Sequence, residues 1–180
     1  MTPEQARQVL AEADLVHDAA TVQAAIHRLA REITAALGER NPLVLAVMKG
    51  GIYFAGQILP LLGFPLSLDY VHVSRYGDAI KGGQLRWKAE PSEAVRGRTV
   101  LVLDDILDAG DTLSAVRSRL MEQGAQSVAC AVLTEKDTGK PKACVPDFVG
   151  LKLPNRYVFG CGMDVSGAWR NLPAIYSMKG

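Results

Sequence analysis

The stretch TVLVLDDILDAGDT at residues 99–112 decides the fold. Its first five residues form a nearly continuous apolar run, as in a strand buried on both faces of a sheet. Two adjacent carboxylates, Asp104 and Asp105, close that run, and Asp108 follows three residues on. Gly110 and Thr112 then open a helix, predicted over 112–123. Its inward positions Leu113, Val116 and Leu120 fall at three- and four-residue steps, and Gly124 is its stop.

The same alternation repeats on either side. Upstream, LVLAVM at 43–48 is a second buried strand, broken by Lys49, Gly50 and Gly51 before a helix over 52–62. Residues 66–73 read as a strand, 74–83 (SRYGDAIKGG) as a mobile loop without apolar period, and 84–90 as a short strand. Downstream, 127–134 is a buried strand, 135–147 a charged loop, and 147–152 and 156–159 two short strands. Residues 2–38 read as two helices. The first is capped by Thr2, Pro3 and Gln5. The second carries Val22, Ala25, Ile26, Leu29, Ile33 and Leu37 on one face and places His17 and His27 as solvated or capping residues. Strand and helix alternating at this spacing predict an α/β fold: a twisted, mostly parallel sheet flanked by helices. One domain over 1–180 is expected, with a core sheet at 38–150 and peripheral or hood elements at 1–37 and 150–180.

The 180 residues carry 20 basic and 19 acidic side chains, a formal net charge of +1, which argues against nucleic acid as the main ligand. No apolar run reaches the ~18–20 residues of a membrane span, and no basic start followed by an apolar stretch marks a signal peptide. Cys130, Cys144 and Cys161 are odd in number and have no metal-clip spacing. A reduced, cytoplasmic protein is therefore expected.

Ligands of open α/β sheets bind at the carboxyl ends of the strands. Helix-start amides, Gly110 and the Thr112 hydroxyl make a cradle for a phosphate monoester. Neither a Walker A loop nor a dinucleotide fingerprint is present. Carboxylates beside such a cradle suit ribose hydroxyls or magnesium rather than bare phosphate, so the site reads as one for a sugar phosphate. Lys49 with Gly50 and Gly51 offers one cation and unobstructed amides, which fits a second phosphate group. Two such places on one sheet suggest a substrate phosphorylated at both ends.

This pair of motifs resembles the type I phosphoribosyltransferases: VLVLDDILDAGDT is similar to their phosphoribosyl-diphosphate signature and MKGG to their pyrophosphate loop. SRY at 74–76, Lys136, PDFVG at 146–150 and the tail YVFGCGMDVSGAWRNLP narrow the likeness to the bacterial hypoxanthine-guanine branch. The resemblance implies that family's fold, with a small hood lobe and a flexible catalytic loop. It also implies transfer of 5-phosphoribosyl from phosphoribosyl diphosphate to N9 of a 6-oxopurine, with Mg2+, and a homo-oligomer, dimer or tetramer.

Carried over by position, Asp104 and Asp105 would hold the ribose hydroxyls and assist the metal, and Asp108 would be the acid/base group at purine N7. The amides of Asp108, Ala109, Gly110, Asp111 and Thr112 would bind the 5′-phosphate. Lys49 and Gly50 would meet the diphosphate, with the family's cis peptide between them. Lys136 would donate to purine O6, Tyr157 would stack on the base, and the Val158 backbone would meet its edge. Asp164 would reach the metal through water, Arg170 would contact pyrophosphate, and Ser74 and Tyr76 would close over the site. Ala109 stands where the family usually has Ser or Thr, and Asp111 where a basic or neutral residue is common. Both are expected to raise the Michaelis constant for phosphoribosyl diphosphate. The same fold would also serve a xanthine- or uracil-preferring transferase, or an RNA-binding regulator, against which the small basic excess speaks.

Overall fold

The computed structural model describes residues 1–75, 85–92 and 94–179. Tyr76, most of the expected loop and the first residue of the strand expected at 84–90 lie outside them.

In chain order the elements are α1 (Pro3–Glu12), β1 (Asp14–His17), α2 (Ala19–Leu37), β2 (Leu43–Met48), α3 (Gly51–Ile58), a 3-10 turn (Leu59–Leu61), β3 (Ser67–Arg75), β4 (Leu85–Ala89), β5 (Thr99–Leu107), α4 (Asp111–Glu122), β6 (Ser127–Lys136), β7 (Phe148–Leu153), β8 (Val158–Phe159) and β9 (Ile175–Ser177). Six strands form one sheet in the order β4-β3-β2-β5-β6-β7. Every neighbouring pair is parallel except β3–β4.

The apolar runs foreseen at β2 and β5 are the centre of this sheet, with Leu43, Val44, Leu45 and Val100 through Leu103 fully buried. Their side chains split between two cores. One lies under α2 and α3 and holds Ile26, Leu29, Ile33, Phe54, Leu101 and Leu103. The other lies under α4 and holds Leu113, Val116, Leu120, Val100 and Val102. Each fully buried large aliphatic side chain contributes roughly 1.5–3 kcal/mol.

β2 leads through α3 to β3 on one side, while β5 leads through α4 to β6 on the other. The helices following β2 and β5 therefore cover opposite faces, and a crevice opens at the carboxyl ends of these two adjacent strands, the topological switch point.

Four expectations need correction. Residues 14–17 are a strand, not helix: they pair with β9, with Asp14 opposite Ser177. His17 is accordingly a strand residue, its Nε2 2.9 Å from the Lys152 carbonyl. α2 is not peripheral, because its apolar stripe packs on the sheet core and the helix lies against β7. β5 runs two residues past the carboxylates, so Asp104 and Asp105 sit within the strand. The non-proline cis peptide joins Met48 to Lys49, one bond before the expected place.

β1, β9 and β8 form a separate three-stranded sheet. It carries the hood over the crevice and shares the main core through Val158, Cys161, Met163 and Ile175. Trp169, at φ 68°, ties the hood to α1 by donating its indole N–H to the Ala6 carbonyl at 2.7 Å.

Candidate active site

β5 delivers Asp104 and Asp105 to the crevice, each only 8% exposed. The Asp105 amide donates to Asp104 Oδ1 at 3.0 Å, and the Ile106 amide to Asp105 Oδ1 at 2.9 Å. Thr134 of β6, fully buried, donates its hydroxyl to the Asp105 carbonyl at 2.8 Å and locks the strand at this point. Burial, reinforced by the neighbouring Asp105 charge, pushes the Asp104 carboxyl well above the usual range. Burial also raises Asp105, opposed by its hydrogen bond with Asp104 and the charge of Arg170. Two carboxylates crowded into one dry corner favour cations and hydroxyl donors beside them.

The loop after β2 closes against this pair. A Cβ on residue 50 would fall 1.9 Å from Asp105 Oδ2, and one on residue 162 would fall 2.2 Å from the Gly50 carbonyl. Gly50 has an ordinary helical φ of −61°, so glycine is needed there for space rather than conformation. At the end of β5, Gly110 takes φ +88° as the N-cap of α4, which any side chain would strain. The helix start at 110–112 faces the cavity.

That cavity is about 460 Å³, lined by Gly50, Asp104, Asp105, Asp108, Ala109, Gly110, Thr112 and Arg170, with apolar walls from Val47, Val73 and Leu113. A second, of about 190 Å³, adjoins it. It shares Asp105, Ile106, Asp108 and Arg170 and adds Lys136, Tyr157, Val158, Met163 and Asp164. Between the two, Lys136 Nζ lies 3.0 Å from Asp108 Oδ2, with the Asp108 side chain 56% exposed. The Lys136 side chain is only 14% exposed, so the pair is open on its Asp108 side, and it is from that side that an incoming ligand can compete for the lysine.

The hood supplies the opposite wall. Arg170 pairs with Asp164 and donates to the Gly162 carbonyl at 2.6 Å. The Gly167 amide donates to Asp164 Oδ2 at 2.6 Å, and the Tyr157 hydroxyl to the Asp164 carbonyl at 3.1 Å. The Tyr157 side chain is nevertheless half open, available to a flat ligand.

Most of the residues singled out by sequence therefore meet around two joined cavities. Lys49, Ser74 and Asp111 do not line either: Lys49 and Asp111 are exposed, and Ser74 lies on β3 opposite Arg86. Thr134, Met163 and Gly162 were not foreseen. Their parts depend on contacts between distant elements that no local spacing reports. Among the described residues, no group of three or more His, Cys, Asp and Glu side chains is arranged to hold a metal ion by itself.

Comparison with known proteins gives the family. Residues 12–166 match the family described as Phosphoribosyl transferase domain. The chain belongs to this phosphoribosyltransferase family. It is 36% identical over 159 residues to the bifunctional protein TilS/HprT of Listeria innocua, covering 88% of this chain but only 24% of that one. It is 30% identical to the hypoxanthine-guanine phosphoribosyltransferase of Bacillus subtilis, over 88% of both chains. A solved hypoxanthine-guanine-xanthine phosphoribosyltransferase superposes with a TM-score of 0.84 at 31% identity, covering 93% of this chain and 97% of that one.

Proposed function

We propose that this chain is a purine salvage enzyme. It moves 5-phosphoribosyl from phosphoribosyl diphosphate to N9 of hypoxanthine or guanine, giving IMP or GMP and pyrophosphate. The observation that carries the reading is the pair of adjoining cavities. One joins a buried acidic turn to a helix start, the other is a slot between Lys136 and Tyr157, and Asp108 is common to both.

The 5′-phosphate sits on the amides of residues 108–112 with the Thr112 hydroxyl, where the helix dipole favours an anion. Asp104 and Asp105 accept from the ribose hydroxyls. As diphosphate departs, positive charge develops on the ribose ring, and these fixed carboxylates stabilise it in a site shielded from water. Asp108 takes the proton from N7 as N9 attacks. Lys136 exchanges its contact with Asp108 for purine O6, a contact that an adenine amino group, itself a donor, would oppose. Tyr157 stacks on the base and the Val158 backbone meets its edge.

Gly50, with Lys49 beside it, meets the diphosphate, as does Arg170. Ser74 and Tyr76, the latter outside the described residues, are the ones the family resemblance assigns to keeping water from the cation-like intermediate.

Mg2+ fits the donor set. Asp104 and Asp105 would hold it, with Asp164 reaching it through water, and the substrate's oxygens would complete its shell. It would neutralise the leaving diphosphate.

We further propose a cytoplasmic homo-oligomer, dimer or tetramer, as the family resemblance suggests. Among the described residues no helix is long and apolar enough to cross a membrane.

The test is direct. The protein is incubated with magnesium, phosphoribosyl diphosphate and hypoxanthine, guanine, xanthine, adenine or uracil singly, and nucleotide is measured. IMP and GMP are expected, and no product from adenine or uracil. Failure with every purine, or a uracil product, overturns the reading.

A further inference from the structure

Behind Lys136, away from the reacting centre, lies a cavity of about 870 Å³ between the end of β6, β7 and the connection that joins them. Three charged groups on its wall are tied to one another. Lys142 Nζ donates to Glu135 Oε1 at 2.8 Å and to the backbone carbonyl of Lys136 at 2.6 Å. Lys152 reaches the other Glu135 oxygen from the neighbouring strand, where it is the register partner of Glu135. The inner pair is well enclosed, with Lys142 13% and Glu135 16% exposed. Although burial opposes it, hydrogen bonds and charges from Lys142 and Lys152 hold the Glu135 carboxyl below its ordinary value.

This network lies next to the point where β6 ends. Lys136 is the last residue of that strand. Its largely enclosed side chain is held by an ion pair to Asp108, whose own side chain is open to the cavity. Its backbone is held from behind by an ammonium that is itself anchored to Glu135. A flexible lysine reads a carbonyl oxygen well only when its Cα is fixed, and displacements of about 1 Å in a site can cost on the order of a hundredfold.

We propose that Lys142 and Glu135, with Lys152 as outer anchor, are positioning residues that set the reach of Lys136 into the base slot and thereby the affinity for the purine. The proposal rests on the reading of Lys136 as the group that meets purine O6. It concerns the base end of the substrate, because the acidic turn and the cradle at 108–112 are carried by β5 and α4; the connection touches that cradle through backbone, the Ala143 amide donating to the Ala109 carbonyl at 2.9 Å, and not through the Lys142 side chain.

Steady-state kinetics of Lys142→Met, Lys142→Arg and Lys152→Met, with hypoxanthine and phosphoribosyl diphosphate varied separately, test it. Lys142→Met is expected to raise KM for hypoxanthine about tenfold, the size of one charged hydrogen bond, and to leave KM for phosphoribosyl diphosphate within about twofold. Lys142→Arg is expected to restore most of the difference. Lys152→Met, on a mostly exposed side chain, is expected to move the hypoxanthine KM the same way by about two- to threefold, and it carries the test should Lys142→Met not fold. An unchanged hypoxanthine KM in the variants that fold, or an equal rise in both constants, overturns the proposal. Nucleotide formation by the unsubstituted enzyme in the same assay separates that outcome from failure of the activity itself.

Discussion

The backbone of Gly50 lies against the carboxylate of Asp105, so that a methyl group on residue 50 would sit 1.9 Å from Asp105 Oδ2. The loop after β2 and the acidic turn of β5 are thus a single surface, and neither can change without the other. Gly50→Ala is expected to leave the fold intact, since the Asp105 side chain borders an open cavity and can swing away. Transferase activity should fall by about a hundredfold or more, as expected for a displaced reacting-site group. Circular dichroism with an initial-rate assay checks both halves.

The buried carboxylate pair costs stability at neutral pH. In the folded protein both carboxyls are raised above their ordinary 3.8. The folded chain therefore holds protons that the unfolded chain has released, and stability falls as pH rises from about 4 through the raised values. Asp104→Asn and Asp105→Asn are each expected to stabilise the ligand-free protein by about 1–2 kcal/mol at neutral pH while lowering activity. Each should also flatten the decline of Tm as pH rises above about 4. Thermal melts across that range would detect this, and a lower Tm at neutral pH would count against it.

Asp108 sits where both cavities meet, paired to Lys136 at 3.0 Å. Asp108→Asn removes the carboxylate proposed as the proton acceptor but keeps the shape. It is expected to lower kcat by about a hundred- to a thousandfold with little change in KM for phosphoribosyl diphosphate. Pre-steady-state and steady-state rates with hypoxanthine measure this.

Ala109 lines the cavity beside the start of α4. Ala109→Ser adds a hydroxyl there and is expected to lower KM for phosphoribosyl diphosphate by about fivefold, the size of one net hydrogen bond. An unchanged constant would mean that the side chain at 109 does not reach the phosphate.

Much of this was legible along the chain because its signals are local. The run at 99–103 marks a doubly buried strand, and the spacing of Val22, Ile26, Leu29 and Ile33 marks α2. Asp104, Asp105 and Asp108 announce an acidic turn by density alone. The parts that sequence hid are long-range. β1 is four residues long and exists only because β9 pairs with it from the far end of the chain. Gly162 is required by the carbonyl of Gly50, and Thr134 fastens Asp105 from an adjacent strand. α2 reads as an amphipathic helix, but its place on the main core is set by β7, which lies more than a hundred residues later. The side chain of Lys49 is exposed, and it is the neighbouring Gly50 that lines the cavity, a difference of one residue that the local pattern of a lysine before two glycines does not report.

The two joined cavities should together hold one nucleotide, and a crystal structure with IMP bound decides whether they do. The 5′-phosphate is expected on the amides of residues 108–112, the ribose hydroxyls at Asp104 and Asp105, and the purine between Tyr157 and Lys136. A nucleotide bound elsewhere, or one whose phosphate leaves the start of α4 unoccupied, would contradict it.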